Sequence, residues 1–177
     1  MHLISNRIII LLSILSLSAC GQASNFEDIE KSANQGDALS QALLGEAYVN
    51  GEGVSQDYKK AFEWYIKAAK QGNVDAQNNL GALYANGHGV AEDDKQAFEW
   101  YNKAAKQGNA QAQNNLGAAY ANGEGVIQDY KKAFEWYSKA AEQGNADAQK
   151  YLGFLYEDGS GVTQDYKKAF EWYNKSA

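Results

Sequence analysis

The sequence contains no proline in 177 residues. Disordered and low-complexity chains are usually rich in both proline and glycine. A proline-free chain with 17 glycines therefore falls outside that class, and outside collagen and proline-rich linkers too. Cysteine occurs once, which excludes an intrachain disulfide framework and a cysteine-built zinc site. Basic residues are the minority, 16 against 22 acidic ones, for a net charge of −6. With this charge balance, nonspecific nucleic-acid binding through a basic face is not expected. Histidine is nearly absent, with His88 the only one beyond the second residue. The sequence also lacks Ser-x-x-Lys, Gly-x-Ser-x-Gly and His-Glu-x-x-His, the short signatures of common hydrolases. Apolar residues are not scarce: at 45% they are enough to bury a core.

The one long apolar run is Ile8 to Leu17, behind a short segment carrying Arg7. It is too short to span a bilayer as a helix, which takes about 20 residues, and it fits the apolar region of a signal peptide. Leu17-Ser18-Ala19-Cys20 follows and holds the only cysteine. This segment resembles the processing signal of bacterial lipoproteins. The resemblance implies a signal peptide over residues 1–19, a lipidated Cys20 as mature N-terminus and a polar spacer over 20–24. Gly21 after the cysteine, rather than Asp, implies the outer membrane, facing the periplasm.

The remainder is one unit copied. Gly36, Gly72, Gly108 and Gly144 recur every 36 residues, as do Gly45, Gly81, Gly117 and Gly153. Two further columns begin at Gly51 and Gly53, so 16 of the 17 glycines fill four columns. All four tryptophans, Trp64, Trp100, Trp136 and Trp172, share one column. The units are 36–71, 72–107, 108–143 and 144–177, and the middle two match at 26 of 36 positions.

Each unit reads as two helices. In residues 72–107, helix A runs from Val74 to Ala85, capped by Asn73 and stopped by Gly87. Ala76, Leu80, Leu83 and Tyr84 form one apolar stripe at helical spacing. Helix B runs from Asp94 to Gln107, capped by Asp93 and stopped by Gly108. Its apolar arc, Ala97, Phe98, Trp100, Tyr101, Ala104 and Ala105, exceeds half the circumference. That width suits a helix touching both its own helix A and the next one, as in a solenoid. Gly81 weakens helix A by about 0.5–1 kcal/mol relative to alanine, and its recurrence predicts a close helix approach. Glu63–Lys67, Glu99–Lys103, Glu135–Lys139 and Glu171–Lys175 are spaced as i,i+4 ion pairs. Residues 25–35 align with helix B and read as a lone N-terminal capping helix. The sequence stops just after the last helix B, so either the terminal face bearing Trp172 and Tyr173 meets a partner or the natural chain continues beyond Ala177.

Leu80-Gly81-x-x-Tyr84 is similar to the tetratricopeptide pattern. The 36-residue period, the Gly-x-Gly-Val turn and Lys-x-Ala-Phe-x-Trp-Tyr-x-Lys-Ala-Ala depart from it and together resemble Sel1-like repeats. This resemblance implies an all-α fold, a right-handed α-solenoid of four helix-turn-helix units plus an N-terminal half-unit. It also implies a non-enzymatic adaptor that binds a protein or peptide on the concave face lined by helix A. Some family members are immunity proteins against secreted toxins, and a cysteine-rich branch has been linked to β-lactamase activity. An immunity role is therefore the alternative, and a cell-wall or β-lactam hydrolase a weaker one. The cysteine-rich branch carries a disulfide in each repeat, which this chain cannot form.

No cofactor, metal or catalytic residue is expected. The Gly-x-Gly turns lack the preceding strand and third glycine of a nucleotide fingerprint, and the aspartate column reads as helix caps. His88, in a variable turn position, reads as solvated. The candidate contacts are Asn78, Asn79, Asn114 and Asn115, with Lys150 and Phe154 in the divergent fourth unit. Asparagine is a mediocre mid-helix residue, but its carboxamide both donates to and accepts from a peptide backbone. The same asparagines could instead bridge neighbouring helices. Expected partners are a protein or peptide, the membrane through Cys20, and a second copy through the uncapped C-terminal end. Nucleic acid is not among them.

Overall fold

The computed structural model describes residues 19–176, with side chains described from Phe26 onward. The predicted signal-peptide residues 1–18 lie outside the described residues. Among those described there are nine helices and no strand. An N-terminal helix α1 (Ala19–Asn34) precedes four hairpins. These are α2 (Ala38–Asn50) with α3 (Tyr58–Lys70) and α4 (Val74–Asn86) with α5 (Asp94–Lys106), followed by α6 (Ala110–Asn122) with α7 (Tyr130–Glu142) and α8 (Ala146–Asp158) with α9 (Tyr166–Ser176). The predicted bounds of the second unit hold to within a residue. The capping helix starts at Ala19 rather than Asn25, so the segment read as a spacer is helical and contains Cys20.

The boundaries follow from side chains that complete the helix ends. The Asn73, Asn109 and Asn145 carboxamides accept from the third N–H of their helices at 2.8, 2.8 and 2.9 Å. Asp93 does the same for Gln96, and Asp57 accepts from both Lys59 and Lys60. These bonds satisfy donors that no helical turn can reach. Helix A ends on a left-handed glycine, such as Gly87 at φ 64°, a conformation available at little cost only to glycine.

Helix B of each of the first three units packs against its own helix A and against the next one, and α9 packs against α8. Within a unit the approach is close. A Cβ on Gly81 would lie 2.7 Å from the Tyr101 ring, and one on Gly117 2.8 Å from the Tyr137 ring. Between units, Phe62, Phe98 and Phe134 meet Tyr84, Tyr120 and Tyr156 edge to face at centroid distances of 5.3–5.4 Å. Leu44, Leu80, Leu116 and Leu152 fill one column of the core, all nearly or wholly inaccessible.

A buried glutamine ladder ties the units together. Gln77 Nε2 donates to the Ala69 carbonyl of the preceding helix B, and Gln77 Oε1 accepts from Gln107 of its own helix B at 2.7 Å. Gln41 and Gln113 repeat the pattern in both directions, and Gln149 repeats the donation to Ala141. Gln41 extends the ladder to α1, where it donates to Ala33. Phe26 and Ile29 of α1 pack on the first unit's core. Thus α1 occupies the place of a preceding helix B, as the alignment predicts.

The outer edge differs from expectation. None of the four Glu–Lys i,i+4 pairs forms. Each lysine instead lies over the indole three residues earlier: Lys67 on Trp64 at 3.8 Å, Lys103 on Trp100 at 3.7 Å, and Lys139 and Lys175 on Trp136 and Trp172 at 4.0 Å. The ring presents a fixed π-face and an apolar bed for the lysine stem, while an exposed ion pair must restrain two long side chains for a small gain. Among the described residues the ion pairs are Lys132–Asp129 and Lys168–Asp165. At the far end Trp172 and Tyr173 are half-buried, and the exposed aromatics are Tyr166 and Phe170.

Candidate functional site

The asparagine candidates do not act alike. Asn78, Asn79 and Asn115 come together in a relay across three helices. Gln111 donates to Asn115 at 3.2 Å, Asn115 to Asn78 at 3.1 Å, Asn78 to Asn79 at 3.3 Å, and Asn79 to the Tyr65 hydroxyl at 3.2 Å. The helix-bridging role therefore holds for these three. Each carboxamide still keeps one N–H and one acceptor position uncommitted. The Tyr65 hydroxyl accepts in this relay and keeps its own proton, since burial, followed by the charge of Glu46, pushes its pKa far above the ordinary phenol.

Asn114 is the exception and corrects the expectation. It is only 6% exposed, and its Oδ1 is buried without a hydrogen-bond partner. The donor that serves Asn78 is Asn115; one repeat later that position is Tyr151, which has no amide. The Tyr151 ring stacks on Tyr137 at 5.0 Å instead. A buried acceptor left unpaired costs about 1–3 kcal/mol. Asn114→Ala, which restores the residue type of Ala42 in the same column, is therefore expected to raise stability by about 1 kcal/mol. Asn78→Ala should not, because it breaks the relay. Urea midpoints of the two variants check the contrast, and equal shifts would defeat it.

Lys150 and Phe154 do converge. Together with Tyr130, Tyr137, Tyr151 and Tyr173 they line a pocket of about 350 Å³ between α6 and α8. Phe154 is 51% exposed there. A second pocket, of about 320 Å³, lies two repeats earlier between α2 and α4. It is lined by Glu46, Tyr58, Tyr65, Asn79, Asn86 and His88, among others. The two are equivalent in register: Tyr58 corresponds to Tyr130, Tyr65 to Tyr137, Asn79 to Tyr151 and Ala82 to Phe154. His88, expected to be solvated, is exposed but stacks on Tyr58 with ring centroids 4.6 Å apart. The relay joins Asn79 in the first pocket to α6, one wall of the second.

Sequence reasoning placed Phe154 on this face because the fourth unit breaks the repeat there. It missed Glu46 and Tyr65, although Glu46 breaks the same column as Ala82 and Ala118. It also missed the glutamine ladder, since buried Gln interrupts an apolar stripe without any local signal. Among the described residues no group of three or more His, Cys, Asp or Glu could hold a metal ion, and no helix is long and apolar enough to cross a membrane. Cys20 lies in α1, and its side chain is not among those described.

Stacked helical hairpins with a ladder of inter-unit bonds define an α-solenoid. The Sel1 repeat pattern matches residues 38–73, 74–109, 110–145 and 146–177, a phase two residues later than the glycine-based division. The chain belongs to the Sel1 repeat family. A protective antigen with an SLR fold from uropathogenic Escherichia coli strains is 37% identical, with a TM-score of 0.83 over 98% of this chain and 41% of that one. A Sel1 repeat protein from Oxalobacter formigenes is 35% identical, with a TM-score of 0.81 over 87% of this chain and 63% of that one. A Sel1 repeat protein from Klebsiella pneumoniae is 28% identical, with a TM-score of 0.63 over 85% and 72%. The chain thus spans less than two thirds of the first two relatives. Comparison with curated protein sequences finds no significant match. Sel1 repeat proteins are generally protein-interaction scaffolds.

Proposed function

We propose that this protein is a lipid-anchored periplasmic adaptor that binds a segment of a protein partner along its helix-A face. The observation that carries this reading is the pair of pockets in equivalent register, with half-satisfied asparagines on the same face. Apolar clefts with a few convergent polar groups are the usual form of a binding site. The spare donors and acceptors of Asn78, Asn79 and Asn115 match an extended backbone, which offers one N–H and one C=O per residue. The lipid anchor rests on the Leu17-Ser18-Ala19-Cys20 segment. Several acyl chains, at about 0.8 kcal/mol per buried methylene, would hold the mature protein to a membrane surface.

The test is affinity capture from envelope extract with the full chain and its anchor. The Asn78→Ala/Asn115→Ala variant is expected to lose about tenfold in partner affinity, two to three hydrogen bonds' worth, with helicity unchanged. Wild-type capture with intact helicity would defeat the role of this face. In the same fractionation, Cys20→Ser is expected to move the protein from the membrane to the soluble fraction. Retention in the membrane would remove the lipid anchor from the reading.

A further inference from the structure

The two equivalent pockets differ in charge and polarity. In the first, the half-buried Glu46 shares the lining with Tyr58, Tyr65, Asn79, Asn86 and His88, whose ring stacks on Tyr58. In the second, Ala118 replaces Glu46, Lys150 is the only charged lining residue, and the walls are Tyr137, Tyr151, Phe154 and Leu155. One pocket offers a carboxylate in a largely polar lining, the other a cation at the rim of an aromatic cleft.

Resting on the reading of this chain as a binder of protein segments, we propose that the helix-A face takes an extended peptide with two anchors, an arginine or lysine side chain in the Glu46 pocket and a large apolar side chain in the Phe154 pocket. The Glu46 carboxyl is held above the ordinary carboxylate range, first by burial and then by the negative charges of Glu52 and Asp75. A guanidinium or ammonium supplies the missing counter-charge at this half-buried carboxylate. Glu46 is the only carboxylate among the residues lining this pocket. Lys150 repels a cation from the other pocket, so charge sets which end of the peptide goes where.

The spacing follows from the solenoid. Packed helices lie about 8–10 Å apart, and pockets two repeats apart are thus separated by roughly 20 Å, or about six residues of extended chain at ~3.3 Å each. Asn78 and Asn115 lie between the anchors, where the spare carboxamide groups face the peptide backbone.

Fluorescence polarisation of the full chain in detergent micelles tests this with fluorescein-labelled Ser/Gly nonapeptides. These carry Arg and Trp about six residues apart, in both orders, beside Arg→Glu, Trp→Ser and two-residue-spacing controls. One order is expected to bind, and each control to weaken it by about tenfold. Glu46→Gln should erase the preference for Arg over Glu while keeping that for Trp over Ser, and Phe154→Ser should do the reverse. Binding that ignores spacing, or variants that leave both preferences intact, would overturn the proposal. Capture of a native partner that survives Glu46→Gln and Phe154→Ser but fails with Asn78→Ala/Asn115→Ala would overturn this register and leave the adaptor reading standing.

Discussion

Gly125→Ala is expected to cost about 2–5 kcal/mol and to divide the unfolding of the chain in two. Gly125 has φ 67°, a left-handed conformation that costs a residue with a Cβ about 1–2 kcal/mol. The added Cβ would also overlap the carbonyl oxygen of Asp94, at the start of the preceding unit's helix B. That backbone group is fixed in the first helical turn and cannot swing aside. Overpacking against a rigid partner adds about 1–3 kcal/mol. The damage falls on the junction between the second and third units. In a solenoid, stability is close to a sum of unit terms and nearest-neighbour interfaces. Weakening one interface should therefore separate a single urea transition into two. Gly108→Ala is the control: its φ is 91°, but no atom lies within 4 Å of the Cβ position. It should cost only the conformational strain, about 1–2 kcal/mol, and leave one transition. Circular dichroism in urea measures both. Equal losses for the two variants would show that the inter-unit approach of Gly125 is unimportant.

Leu116→Ala is expected to destabilise by about 2–5 kcal/mol, the range for truncating a buried leucine. Leu116 is fully inaccessible and sits in the middle of α6 among Ala97, Tyr101, Ala104, Ala105 and Ala112. Most of these neighbours are alanines, which have no side-chain freedom with which to refill the space. The upper part of the range is therefore the better expectation. Ile127→Ser provides the comparison. Ile127 is 89% exposed, and its replacement should change stability by no more than about 0.5 kcal/mol. Chemical denaturation reads both. A Leu116 variant with an unchanged midpoint would mean that the solenoid collapses onto the cavity.

Much of the fold was legible because its determinants are local. Asn73 and Asp93 sit at the predicted caps, and Gly87 and Gly108 at the predicted stops, since each acts on the backbone within a few residues. The wide apolar arc of helix B correctly implied two neighbours. What local reading got wrong was the choice among partners. Lys67 can reach Glu63 or Trp64 with equal ease in sequence, and it takes the indole. The four asparagines look alike in sequence, yet three form a relay and Asn114 is buried unpaired. The difference lies at Tyr151, a residue 37 positions away from Asn114 in the chain.

The 36-residue period, the caps and stops within each unit and the wide apolar arc of helix B marked this chain, from sequence alone, as a solenoid of helical hairpins. Helix periodicity, caps and stops are encoded within single units. Only the tertiary structure decided which polar side chains spend their hydrogen bonds inside the solenoid and which keep some to offer. It also decided that Glu46 and Lys150 belong to equivalent pockets of opposite charge. Those outcomes depend on the residue that the next repeat brings alongside, and stacking rather than sequence proximity makes that choice.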